Sequence, residues 1–190
     1  METLKSHLQA IYPLTEEAWA AMQLIWTPVS HKRKEILTAA GETEKYLYWV
    51  LEGMQRGYHL HHDKEATVVF SYAPSFSGIL DSFLLQQPSR YYLETLTASR
   101  FLRTSYRQLE TLRRAHPCIA ELMYRSLCQV CAGTLERQIE LMVYSAEEKF
   151  RTLLKRSPHI LQLVPHKYLA SYLGIDATTF SKLMGSIKLD

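Results

Sequence analysis

Cysteine is scarce in this 190-residue chain: there are three, Cys118, Cys128 and Cys131, crowded into one short stretch. So few thiols so close together exclude a disulfide framework and read as reduced. Long apolar runs are missing as well, and residues 1–10 carry Glu2, Lys5 and His7. Neither a signal peptide nor a membrane span is expected, and the chain reads as a soluble, cytoplasmic protein without a membrane partner. There is no Gly-x-Ser-x-Gly elbow, P-loop or dinucleotide glycine motif, and no acid–base pair stands out, so an enzyme is not expected. Cys128 and Cys131 have Cys-x-x-Cys spacing, but on a continuous helix they fall within one turn and no second pair accompanies them. No metal site is expected.

What is present is a chain 47% apolar, enough for a real core in one domain or two small ones. Its net charge of +3 is unevenly spread. Residues 145–190 hold seven Lys/Arg (Lys149, Arg151, Lys155, Arg156, Lys167, Lys182 and Lys188) against four acids (Glu147, Glu148, Asp176 and Asp190), so this tail contains the whole excess. Positive charge at one end suits a polyanion, although +3 is also ordinary for a soluble surface.

The hydrophobic period changes twice along the chain. Residues 4–26 place Leu4, Leu8, Ile11, Ala18, Met22 and Ile25 at helical spacing, with a break at Pro13 and a start signal at Thr15-Glu16-Glu17. Short β-forming runs follow at 35–38, 46–51, 54–60, 66–72, 91–97 and 100–105, which predicts an antiparallel barrel or roll. Glu52-Gly53 marks one tight turn, and Lys64-Glu65 after His62-Asp63 marks a second hairpin tip. His59 and His61 share a strand face beside that tip and read as an exposed polar hairpin.

Beyond Pro117, the residues Ala120, Met123, Leu127, Val130, Thr134 and Leu141 recur at spacings of three and four, which predicts a long helix with a seam. Two readings of the seam stand: the same helix of a second subunit covers it, or it packs on its own β-domain. After Ser157-Pro158, stretches at 165–173 and 177–184 joined around Gly174 describe a helix-turn-helix.

In this order the sequence resembles the Crp/Fnr superfamily of transcription regulators, catabolite-activator-like proteins with a cyclic-nucleotide-binding β-roll. The matching residues are Tyr46-Leu47-Tyr48-Trp49-Val50-Leu51-Glu52-Gly53 with Met54-Gln55-Arg56-Gly57-Tyr58, and Phe76-Ser77-Gly78-Ile79-Leu80 with Pro88-Ser89-Arg90. His116-Pro117 and Val164-Pro165-His166-Lys167-Tyr168-Leu169-Ala170-Ser171-Tyr172-Leu173-Gly174-Ile175 complete the likeness, which spans nearly the whole chain and is to a short branch without a wing. It implies an α+β fold: a β-roll (a cyclic-nucleotide-binding-like jelly roll) with flanking helices over 1–116, a dimerisation helix over 117–144, and a helix-turn-helix over 145–190. It also implies a homodimer on duplex DNA, a small-molecule effector and RNA polymerase as a further partner.

In the family, a Gly-Glu-Leu sequence and an Arg-Ser pair hold the nucleotide, because a semi-buried phosphate needs charge-assisted donors. This chain keeps Gly78 and Leu80, but has Ile79 where the ribose-binding Glu stands and Ser89-Arg90 in place of Arg-Ser. Tight cyclic AMP binding is therefore not expected, and no cofactor is called for. Ile79 with Phe83, Tyr91 and Tyr92 suits a greasier ligand. Thr134 falls where family members reach the ligand from the seam, with seam packing as its plainer role. The plainer roles of the others are a turn glycine (Gly78), a surface hydroxyl (Ser89) and a solvated charge (Arg90).

In the helix-turn-helix, Leu169, Leu173, Ile175, Phe180 and Leu183 are expected inside. Thr178, Thr179, Ser181 and Lys182 remain as candidates for DNA contact, with Lys182 at a basic family position. The second helix is poor in charge, so a sensor that has lost DNA binding and acts through protein contacts stays open as the alternative.

Overall fold

The computed structural model describes residues 1–62 and 64–186. Two helices open it, α1 (Glu2–Ile11) and α2 (Glu16–Leu24), divided at Pro13; the Thr15 hydroxyl accepts from the Ala18 amide at 3.2 Å and so caps α2. Strands β1 (Thr27–His31), β2 (Ile36–Thr38), β3 (Tyr46–Glu52), β4 (Met54–His61), β5 (Lys64–Tyr72) and β6 (Ser75–Ser77) come next. A short helix α3 (Leu80–Leu85) precedes β7 (Tyr91–Thr95) and β8 (Ser99–Ser105). The strands form two four-stranded antiparallel sheets, in the orders β1-β8-β3-β6 and β2-β7-β4-β5. This is the expected β-roll.

Gly53 links β3 to β4 at φ +94°, and a Cβ there would meet the Ala98 carbonyl at 2.6 Å, so the turn demands glycine. The second tip differs from expectation. Lys64 and Glu65 pair with His61 and Leu60 as part of β5, because His62 has already turned the chain at φ +44°; Asp63 lies outside the described residues.

Six helices follow the roll: α4 (Tyr106–Ala115), α5 (Pro117–Val143), α6 (Ala146–Arg156), α7 (Ile160–Leu163), α8 (His166–Leu173) and α9 (Ala177–Ser186). Capping boxes start α4 and α6, with Ser105 exchanging bonds with Gln108 and Ser145 with Glu148. Pro117 opens α5 at its first helical position, where the missing N–H costs nothing.

Along α5 the surroundings change. Ile119 and Leu122 are buried against α1, α2 and α4, with Met123 packed at the edge of that core. Further on, Leu127, Val130, Leu135, Ile139 and Met142 are exposed, Met142 to 76%. The reading in which the seam packs on the chain's own domain holds for the first turns, and beyond them α5 presents an apolar face exposed among the described residues. Leu135, Ile139 and Met142 were not in the expected seam, while Leu141 lies against Gly174 at the turn between α8 and α9.

Candidate effector cassette and nucleic-acid interface

The cassette is built where β6 runs into α3. Gly78 sits at φ +142°, where a Cβ would crowd the Tyr46 carbonyl at 3.3 Å, and Ile79 stands at the start of α3. Ile79 points into the roll and is buried with Tyr48, Val50, Leu93 and Phe101, which fill the interior. Leu80 and Phe83 turn to the other side of α3, under α5. The greasy group expected around Ile79 is therefore divided: Tyr91 packs at the rim of the Ile79 cluster, Tyr92 stacks on Tyr58 at 5.0 Å, and Phe83 belongs to a different core.

A residue that the sequence reading missed occupies the cassette's backbone donors. Glu44 is 1% exposed. Its carboxylate accepts from the Ile79 amide at 3.1 Å, the Thr38 hydroxyl at 2.8 Å and the Tyr46 amide at 3.2 Å. Burial pushes the Glu44 carboxyl above its ordinary range, against those three bonds, which favour the charged form. Burial, with Glu44 nearby, also drives the Tyr48 hydroxyl well up.

The second half of the cassette is a local turn. Ser89 is buried, and its hydroxyl donates to the Tyr91 carbonyl and accepts from the Tyr91 amide, both at 2.8 Å. Arg90 is exposed, and its carbonyl meets His59 Nδ1 at 2.8 Å. Thr134 is exposed on α5 and its hydroxyl donates back to the Val130 carbonyl at 2.8 Å.

At the other end, Gly174 at φ +66° turns α8 into α9. Leu169, Leu173 and Phe180 are buried as expected, with Ile175 and Leu183 packed against them. Thr178, Ser181 and Lys182 are exposed on α9. Thr179 is half-buried, and Asp176 caps α9 through it: the Thr179 amide and hydroxyl both donate to the Asp176 carboxylate, at 2.8 and 2.6 Å. Those bonds hold the Asp176 carboxyl below its usual range.

The core of this unit does not close on itself. It continues into Met54, Leu96, Phe70 and Tyr72 of the roll. Ser171 on α8 accepts from the Thr67 amide and donates to the Glu65 carbonyl, both at 2.9 Å, satisfying groups on β5, the outer strand of its sheet. Two arginines grip the same helix. Arg56, 1% exposed, lies between Tyr58 at 4.1 Å and Tyr168 at 3.6 Å and pairs with Glu65 at 2.7 Å. Its other nitrogen is 3.5 Å from Glu94. Arg137 of α5 stacks on Tyr172 at 4.0 Å and donates to the Tyr172 carbonyl. Tyr168 and Tyr172 are one turn apart, so roll and long helix hold one face of α8.

At the junction of α5 and α6, Glu140 is 5% exposed and pairs with Arg137 at 2.9 Å and with Arg156. Burial would raise this carboxyl, but the two guanidiniums outweigh it and hold it below the usual range. Cys128 and Cys131 are exposed on α5, and Cys118 is partly buried.

The β-roll, the long helix α5 and the two-helix corner of α8 and α9 follow one another in that order. The fold is that of the Crp/Fnr regulators. It is similar to FixK2 of Bradyrhizobium japonicum, with a TM-score of 0.72 at 17% identity over 85% of this chain and 83% of that one. A CooA variant from Carboxydothermus hydrogenoformans is similar at 0.65 and 17%, over 90% and 79%. The c-di-GMP-responsive global regulator CLP of Xanthomonas campestris is similar at 0.65 and 16%, over 90% of each chain. No family model matches the sequence, and no curated protein does. Among the described residues, no helix is long and apolar enough to cross a membrane.

Proposed function

We propose that this chain is a transcription regulator that binds duplex DNA as a homodimer, with the β-roll as its sensor and no catalytic activity. One observation carries the reading. The apolar half of α5 is uncovered on the same chain whose α9 presents Thr178, Ser181 and Lys182 to solvent. A second copy of α5 is the partner that such a stripe fits. Two α9 helices then face successive major grooves about 34 Å apart. One neighbour in fold, CLP, is named a global regulator, which agrees with this reading. RNA polymerase is the further partner that a regulator of this kind implies.

Light scattering at micromolar concentration is expected to give twice the 22.1 kDa chain mass. A strict monomer that also leaves DNA unbound would remove the reason for the uncovered stripe.

Lys182 is the one basic residue on the exposed face of α9 among the described residues. Lys182→Ala is expected to weaken duplex binding and, if the ammonium meets phosphate, to lower the slope of log K against log salt by about one. Binding identical to the parent's at every salt concentration would make Lys182 a surface charge, and would favour a sensor that works through protein contacts.

The effector of this sensor is not tightly bound cyclic AMP. Ile79 offers no acceptor to a ribose hydroxyl, Ser89 is spent on Tyr91, and the Glu44 carboxylate already sits on the Ile79 amide. A phosphate arriving there would have to displace the Glu44 carboxyl group from that amide.

A further inference from the structure

A cavity of about 130 Å3 lies on the other side of α3 from the roll interior, between α3 and α5. Its floor includes Leu8, Met22, Trp26 and Phe83, each no more than 9% exposed. Only two of its lining side chains carry a polar atom. The Ser126 hydroxyl is already given to the Leu122 carbonyl at 2.8 Å, and the Trp26 Nε1–H is buried with no acceptor among the described residues.

Protein interiors hold few voids larger than a water molecule. Walls like these give water almost no partners even though the pocket opens past Leu127 and Val130, and an enclosed apolar cavity of about 150 Å3 stays dry and takes benzene. We propose that this cavity is a binding site for a small uncharged aromatic or alkyl ligand about one ring in size. Such a ligand touches Leu80 and Phe83 of the cassette helix on one side and Leu122 of the long helix on the other, and so joins the element that starts the cassette to the element that carries the apolar stripe.

A second copy of α5 lying on the exposed stripe is expected to leave the space unfilled. Its contacts with the lining would be Leu127 and Val130, the two lining residues that are exposed. Packed helices keep their axes about 8–10 Å apart. A partner helix therefore roofs the opening, while the floor belongs to α1, α2 and α3 beneath it. The proposal rests on the sensor reading only for its regulatory consequence; occupancy itself is independent of DNA.

Thermal denaturation of the full chain tests it, with toluene near aqueous saturation as the probe. A rise in Tm of about 3 °C is expected. Ser126→Phe places a ring in the cavity from its wall, and is expected to abolish the response while the parent Tm is kept or exceeded. Should that variant fail to fold, Leu84→Ala widens the space and is expected to shift the response from toluene towards naphthalene. An unmoved Tm in the folded parent, an undiminished toluene response in folded Ser126→Phe, or a dimer structure with partner side chains filling the void would each overturn the assignment.

Discussion

Arg56→Ala is expected to lower Tm by about 6 to 12 °C. The figure follows from a loss of about 3 kcal/mol, the low end for removing one partner of a buried ion pair, at about 2 to 4 °C per kcal/mol for a chain of this size. The low end applies because Glu65 is 43% exposed and regains water, whereas Glu94, at 12%, does not. The loss also removes the cation between Tyr58 and Tyr168. Because Tyr168 belongs to α8, the helical unit α6–α9 is expected to loosen from the roll, and limited proteolysis at the Tyr144-Ser145 junction should quicken. Arg56→Lys keeps the charge without the planar stack and should recover only part of the loss. A Tm within 2 °C of the parent for Arg56→Ala would contradict this account of how the two units are joined.

Glu44→Ala is expected to cost about 2 to 4 kcal/mol, because the Ile79 amide, the Tyr46 amide and the Thr38 hydroxyl lose their acceptor in a site closed to water. Glu44→Gln keeps an acceptor and should cost much less. The pH dependence separates charge from shape. Burial raises the folded carboxyl above its ordinary value of 4.5, so the native state holds the proton more tightly than the unfolded chain. Its contribution is therefore favourable below that value and declines as pH rises through the folded pKa. Measured by urea midpoints, the parent should lose stability relative to Glu44→Gln as pH rises from about 4.5, and a relative gain over that window would contradict the burial argument. Calorimetry on the parent should find millimolar or absent binding of cyclic AMP, since the unpaired ribose hydroxyl alone costs roughly 1 to 3 kcal/mol; submicromolar binding would overturn the reading of Ile79 and Glu44.

The roll was legible where local rules act alone. Gly53 announced its turn because no other residue fits there, Pro117 announced the start of α5, and Gly174 announced the corner between α8 and α9. Capping boxes at Ser105 and Ser145 likewise mark the starts of α4 and α6 in the sequence itself.

Strand β4 shows what period alone cannot give. Alternation predicts every second residue exposed, yet Met54, Gln55, Arg56 and Gly57 are all buried, because the roll interior covers one face and α8 with its neighbours lies against the other. Arg56 finds Tyr168 from more than a hundred positions away, and Glu44 finds Ile79 thirty-five residues on. Neither contact leaves a local trace. The seam was half legible for a related reason: the first turns of α5 serve the chain's own core, so a single stripe drawn along the helix mixed two faces and missed Leu135, Ile139 and Met142. The resemblance placed the DNA-contact candidates on one helix, and on that helix Thr179 is half-buried with its hydroxyl donating to Asp176.

Selection of bound duplexes from a random library by the purified full chain, at low and at moderate salt, tests the central claim most directly. A two-fold dimer reading DNA through two α9 helices predicts enrichment of an inverted repeat with half-site centres about 34 Å apart, with recovery falling steeply as salt is raised. Recovery of no preferred sequence at either salt concentration, from a protein shown to be folded, would contradict it.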